Sequence, residues 1–183
     1  MDVNYILSQV FIVIMYVFLA ITYLTKSKHK IVILSSLALL ASMISFLFLG
    51  AWTGFAACIV DLCRNFYLLW AEKKYGKSKK ITKREVIFLI VVLLALALVS
   101  IPTYDGILSL CSIIATGIYT FSIWQKSTKV YKACGIPVSI FWVTYHTYTR
   151  SIFGVILESV LLIVSAIGFF KEIKGKKKSK KQK

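Results

Sequence analysis

Residues 26–49 read KSKHKIVILSSLALLASMISFLFL: a compact basic cluster, then a run with no charge at all from position 31 to position 49. A helix rises about 1.5 Å per residue, and a bilayer's hydrocarbon core, about 30 Å thick, needs about 20 apolar residues to cross. The run is therefore read as a membrane-spanning helix, with the lysines beside it marking where the chain leaves the lipid. The same punctuation recurs along the whole chain. Apart from Arg64 and Arg150, every Lys and Arg falls in one of four clusters, at 26–30, 73–84, 126–132 and 171–183.

Between the clusters the chain is apolar. Of its 183 residues 58% are hydrophobic, yet its net charge is +16. A soluble domain of this size leaves too much surface in water to hide that much hydrocarbon. Nucleic-acid binding needs cations gathered on a folded polar face, whereas here they occupy gaps between apolar runs, so no nucleic-acid partner is expected. Seven segments are long enough to cross: 5–24, 31–49, 52–70, 86–101, 106–124, 130–148 and 151–170. The first lacks a basic leader and is followed by cations instead of a small-residue cleavage site, so it is expected to be a retained helix, not a signal peptide. Cys58, Cys63, Cys111 and Cys134 fit neither a zinc spacing nor a disulfide framework and are read as small buried apolar residues.

Basic and nearly neutral connectors alternate, and the rule that cationic loops stay in the cytoplasm puts all four clusters on that side. The N-terminus is then outside, the C-terminus inside, and the number of crossings odd. Trp70 and Trp124 fall at the expected cytoplasmic boundaries, where amphipathic rings favour the interface. The lysine tail is accounted for by orientation and attraction to anionic lipid.

An offset of 100 residues aligns Lys26-Ser27 with Lys126-Ser127 and Gly54 with Gly154. Identity between the two windows is near chance, so the correspondence lies in hydropathy and charge register. It predicts an all-α membrane protein of seven transmembrane helices in a 3+1+3 parallel-repeat bundle, with a first three-helix repeat at 1–75, a basic loop and linker helix at 76–105, a second repeat at 106–172 and a disordered lysine-rich tail at 173–183. The linker segment, apolar until Ser100, is expected to face lipid and offer nothing polar to a pathway.

Three ionisable groups fall inside spans, where each costs about 2.5–3.5 kcal/mol on insertion scales: Asp61, Arg64 and Glu158. Asp61 and Arg64 share a helix face at i, i+3. At about 1.5 Å per residue Asp61 falls near the midplane, Glu158 roughly 4 Å outward and Arg64 roughly 5 Å inward, so Arg64 is expected within reach of either acid. Two roles are open for the cluster. It can line a solute cavity with Asn65, Trp142, Tyr145 and His146, making these seven the candidate solute-binding residues, or it can be a salt-bridged pin between the halves. An enzyme is not expected, since no nucleophile and base, metal motif or phosphate loop is present, and no cofactor is implied. Gly50 and Gly54 match a GxxxG pattern, which serves either a tight outer turn or self-association as a homo-oligomer.

The run Leu49-Gly50-Ala51-Trp52-Thr53-Gly54 leading into Arg64-Asn65, and later Ser151-Ile152-Phe153-Gly154 followed by Glu158, resembles the YgjV family of small bacterial inner-membrane proteins. That family is similar in turn to the PnuC vitamin and nucleoside transporters and the SWEET sugar transporters, with their three-plus-one-plus-three helices. The resemblance implies a bacterial inner-membrane location and facilitated passage of a small polar solute, by analogy of fold. The tryptophan-rich binding signature of PnuC is missing, so its nicotinamide riboside substrate does not carry over.

Overall fold

A computed structural model describes residues 3–75, 81–104, 107, 110–148 and 150–181, with the side chains of 53, 103 and 175–181 excepted. Seven α-helices follow one another: α1 Val3–Leu24, α2 Lys28–Leu49, α3 Trp52–Tyr75, α4 Lys83–Ser100, α5 Leu110–Trp124, α6 Thr128–Tyr148 and α7 Ile152–Lys181, with a 3-10 turn at Ile101–Thr103 after α4. Among the described residues there is no strand. Each expected span has its helix. Four of them, α1, α2, Gly54–Tyr75 of α3 and Ile152–Lys174 of α7, are long and apolar enough by themselves to cross a membrane, and α5 is a shorter apolar helix.

The helices overrun the apolar segments at their lysine ends. The third reaches Tyr75 instead of residue 70, and α7 stays helical to Lys181, through the stretch expected to be a disordered tail. Lys and Glu are good helix formers, so nothing local stops the turns where the lipid would end. The fourth helix is stopped at its start by a capping box: the Glu85 N–H donates to Thr82 Oγ1 at 3.4 Å while the Thr82 N–H donates to Glu85 Oε2 at 2.7 Å.

Connections as short as those from α1 to α2 and from α2 to α3 force antiparallel neighbours. Sequential helices pack on one another all the way from α1 to α7, and α1 closes the ring against α7. The ring is tightened where a side chain would not fit. A Cβ on Gly168 would stand 2.2 Å from the Tyr23 carbonyl oxygen, so only glycine lets α7 approach the α1 backbone this closely. Outward faces are apolar: Val17 on α1, Phe66 on α3, Leu94 and Leu98 on α4 and Ile163 on α7 are all more than half exposed. Such a belt is the inverse of a soluble surface and suits hydrocarbon.

The offset of 100 residues reappears in the backbone. At the end of α2 the Gly50 N–H donates to the Leu47 carbonyl at 3.2 Å and the Ala51 N–H to that of Phe46 at 3.0 Å; at the end of α6 the Arg150 N–H donates to Thr147 at 3.2 Å and the Ser151 N–H to His146 at 2.9 Å. Both turns pivot on a left-handed residue, Gly50 at φ 65° and Arg150 at φ 54°. Only the first has the glycine that this conformation favours. Gly50 thus serves the tight turn.

Candidate functional site

Inside the ring lies a cavity of about 600 Å³ to which all seven helices contribute. It reaches the end of the molecule away from the lysine clusters, at Leu49 and Ala51 of one turn and His146 and Ser151 of the other, and runs down to Asp61, Glu158 and Tyr119 at mid-depth. The stretch 50–54 that opens α3 and the stretch 150–154 that opens α7 flank its mouth. Of the seven candidate residues the structure brings Asp61, Trp142, Tyr145, His146 and Glu158 to the cavity wall, and sets Arg64 and Asn65, both without solvent exposure, behind Asp61.

The i, i+3 spacing on α3 makes the ion pair. Arg64 Nη1 donates to Asp61 Oδ1 at 2.5 Å and to Thr120 Oγ1 of α5 at 2.8 Å, and its Nε donates to Asn65 Oδ1 at 3.1 Å. Asn65 Nδ2 in turn donates to Ser36 Oγ at 3.2 Å and Ser35 Oγ at 3.4 Å on α2. The guanidinium lies 5.6 Å from the centre of the Tyr119 ring, whose hydroxyl is 2.6 Å from Ser35 Oγ. Three helices are thereby tied behind the cavity floor. Nη2 of Arg64 is buried with no hydrogen-bond partner among the described residues.

Glu158 does not share Arg64. It accepts a hydrogen bond from Tyr16 of α1 at 2.9 Å, and among the described residues Asp61 is the carboxylate paired with Arg64. Spacing along single helices could not foresee this, because α1 packs against α7 and supplies the donor where a facing α3 was expected. One cavity carboxyl is consequently charge-paired and the other is held by a phenol.

Nearer the mouth, Trp142 stacks on His146 with ring centroids 5.6 Å apart and meets Tyr145 edge-on at 5.8 Å. A Cβ on Gly154 would stand 2.6 Å from His146 Nδ1, so this glycine makes room for the imidazole against α7. His146, one of the seven candidate residues, is thus part of the cavity wall. Ser100 also lines the cavity, which corrects the expectation that the fourth helix contributes nothing polar.

Several wall residues were missed: Tyr16, Ser35, Ser42, Thr116, Tyr119 and Ser139. A signal for some was present. Ser35, Ala38, Ser42 and Ser45 recur at helical steps of three and four, as do Ser112, Thr116 and Tyr119, and such small and polar stripes face protein in a bilayer. For Tyr16 the flanking stretches 10–15 and 17–21 are wholly apolar, and the tertiary contact with Glu158 reveals its role.

Toward the lysine end the interior closes. Tyr23, Ile123, Trp124 and Tyr131 are almost wholly buried, Tyr67, Phe88 and Trp124 form a triangle of rings with Tyr67–Phe88, Phe88–Trp124 and Tyr67–Trp124 centroids 4.0, 5.7 and 5.9 Å apart, and Thr22 Oγ1 is 2.8 Å from the Tyr131 hydroxyl. Trp124, expected at the lipid interface, is instead in this plug, and of the two only Trp70 is exposed. Of the cysteines, Cys58 is buried as expected, beside Asp61, whereas Cys63 is exposed and Cys111 and Cys134 are half-buried.

Acids at this end cross-link the helices. His29 Nδ1 lies 2.9 Å from Glu72, Lys132 Nζ donates to Glu172 at 3.0 Å, and Lys126 Nζ pairs with Glu85. Burial pushes the Glu85 carboxyl up, but the hydrogen bonds from Lys126 and Thr82 outweigh it and hold the group below the usual range. Glu85 precedes the apolar part of α4. Among the described residues no group of three or more His, Cys, Asp or Glu is gathered as for a metal ion.

The family Imp-YgjV, described as bacterial inner membrane protein, matches residues 6–176. No curated protein matches, and no solved structure matches.

Proposed function

The chain belongs to the Imp-YgjV family of bacterial inner membrane proteins, and on that premise we propose that it carries a small polar metabolite, of vitamin, nucleoside or sugar size, through the central cavity by facilitated passage. The observation that supports this reading best is the cavity itself: about 600 Å³, lined from every helix, open at one end to mid-depth and floored by Asp61 and Glu158. Ligand sites for metabolites fall in the range of about 300–1,000 Å³ and combine apolar walls with a few convergent polar groups. Intramembrane carboxyls that face a cavity mark solute pathways. In this reading both acids accept hydrogen bonds from hydroxyl or amine groups, Trp142, Tyr145 and His146 give a ring surface to a planar or sugar-like solute, and Arg64 and Asn65 hold Asp61 in place.

The halves α1–α3 and α5–α7 act as two parallel repeats joined by α4, and the solute site lies between them. With the lysine clusters in the cytoplasm, the cavity mouth faces the periplasm and the aromatic plug of Tyr23, Trp124 and Tyr131 is the inner gate. Passage requires the halves to rock until the plug parts and the mouth closes. The partners of this reading are lipid and the solute, with neither a nucleic acid nor a catalytic step.

A second reading has one observation in its favour: the Asp61–Arg64–Thr120 network is internally bonded and would serve equally as a pin in a non-transporting receptor or assembly protein. Thermal-shift screening of the detergent-purified protein against vitamins, nucleosides and sugars decides between them. A carrier is stabilised by one class, and Trp142→Ala abolishes that stabilisation without lowering the ligand-free Tm by more than a few degrees. Stabilisation by none, with full retention of fold, favours the scaffold.

A further inference from the structure

A second cavity, of about 750 Å³, lies at the lysine end on the far side of the aromatic plug, bounded by the starts of α2 and α4 and the ends of α3 and α5. Its chemistry is unlike that of the central cavity. Lys28, Lys83, Arg84 and Lys126 line it, against the carboxylates of Glu72 and Glu85, which are engaged by His29 and by Lys126 with Thr82. The described wall is therefore net positive.

Two buried donors on that wall have no hydrogen-bond partner among the described residues. Lys28 Nζ is out of solvent with no hydrogen bond, resting 5.3 Å from the centre of the Tyr131 ring. Trp124, with no exposed surface at all, has its indole Nε1–H unpaired. Ammonium and indole N–H groups can only donate, so only an acceptor satisfies them, and a buried cation is best met by an anion. The first turn of α2 adds to the demand. Its N-cap, Ser27, makes no side-chain cap, and Ser27, Lys28 and His29 line the same cavity, which sets the positive end of the helix dipole beside it. Val32, Leu68 and Ile123 give the remaining wall an apolar character.

We infer that this cavity is a binding site for an organic phosphate, which seats its anionic group between Lys28, Trp124 and the start of α2 and lays its apolar portion along Val32, Leu68 and Ile123. The required chemistry is a phosphate carried on a partly apolar molecule. An anionic phospholipid entering from the inner leaflet and a soluble phosphate ester from the cytoplasm both have it. The inference shares Trp124 with the plug but uses none of the residues that line the central cavity, and it holds equally for a scaffold.

The test is native mass spectrometry of the full-length protein in a non-ionic detergent, titrated separately with dioctanoyl phosphatidylglycerol and with phenyl phosphate. One saturable site is expected for at least one of them. Lys28→Met, which keeps the length of the side chain but removes the charge, weakens it about tenfold, and Trp124→Phe, which keeps a ring but removes the N–H, weakens it about fivefold. Lys171→Gln, outside the cavity, changes it less than about twofold. Saturable binding of the lipid alone assigns the site to a headgroup, and binding of phenyl phosphate assigns it to a soluble ester. Absence of saturable binding for both ligands overturns the inference, as does equal affinity in wild type, Lys28→Met and Trp124→Phe. Should Lys28→Met not fold, Trp124→Phe and Lys83→Gln carry the comparison.

Discussion

Replacing Asp61 with Asn removes the only carboxylate paired with Arg64 among the described residues, while changing neither the size nor the shape of the side chain appreciably. Arg64 is wholly buried and Asp61 nearly so, with 0% and 10% of their side chains exposed. Breaking a buried pair on one side costs about 3–5 kcal/mol, because a charge is left uncompensated in a medium that solvates it poorly. Two effects reduce this. The Asn amide oxygen can still accept a neutral hydrogen bond, worth about 1 kcal/mol, and Thr120 and Asn65 go on accepting from Nη1 and Nε. The net loss is then about 2–4 kcal/mol. At about 2–4 °C per kcal/mol for a chain of this size, Tm falls by roughly 4–16 °C. Intrinsic tryptophan fluorescence during a thermal ramp in detergent reads it directly. Adding Arg64→Met to Asp61→Asn takes away the stranded charge, so the double variant recovers at least half of the loss. A fall of less than about 2 °C for Asp61→Asn, or a double variant less stable than the single one, refutes the argument that Asp61 neutralises Arg64. In vesicles, uptake lost at a temperature where the variant is folded assigns Asp61 to the solute site as well, while unchanged uptake leaves it a pin.

Gly168→Ala forces a Cβ to within 2.2 Å of the Tyr23 carbonyl oxygen, a backbone atom that cannot swing aside, so α1 and α7 separate and Tm drops by the equivalent of about 1–3 kcal/mol in the same thermal ramp. Tyr16→Phe leaves Glu158 without its phenolic donor and is expected to alter solute affinity in the thermal-shift titration far more than it alters the ligand-free Tm. Because Glu85 titrates lower when folded than when unfolded, its contribution is fully present above the unfolded value near 4.5 and fades as pH falls through the lower folded one; the wild-type advantage in Tm over Glu85→Gln is therefore constant from neutral pH to about 5 and shrinks below that.

Helix number and order were legible because lipid imposes a single rule on every segment: apolar residues for the width of the bilayer, with lysines where water begins. The offset of 100 residues was legible in charge register and returned as matching turns at Gly50 and Arg150. Asp61 with Arg64 could be paired from spacing, since i, i+3 on one helix fixes their geometry whatever surrounds it. Contacts between helices were not. Tyr16 reaching Glu158, Thr120 reaching Arg64 and Trp124 turning inward all depend on which helices become neighbours in the ring. Hydropathy is silent about that choice, because each spanning helix is apolar on most of its circumference. For the same reason the cavity at the lysine end was invisible: its cations were already accounted for as orientation signals, and only the structure shows Lys28 folded inward instead of lying in water.

Passage of a solute through the ring requires the central cavity to be an aqueous path that opens away from the lysines. It is tested without knowing the solute by placing a single cysteine at Thr116, on the cavity wall, in a chain whose four native cysteines are alanine, and a second at Leu94, on the outer face of α4. A membrane-impermeant methanethiosulfonate added to intact cells is predicted to modify the Thr116→Cys protein and to leave the Leu94→Cys protein unmodified. Modification of Thr116→Cys only in inside-out vesicles, or only after unfolding, would contradict the account.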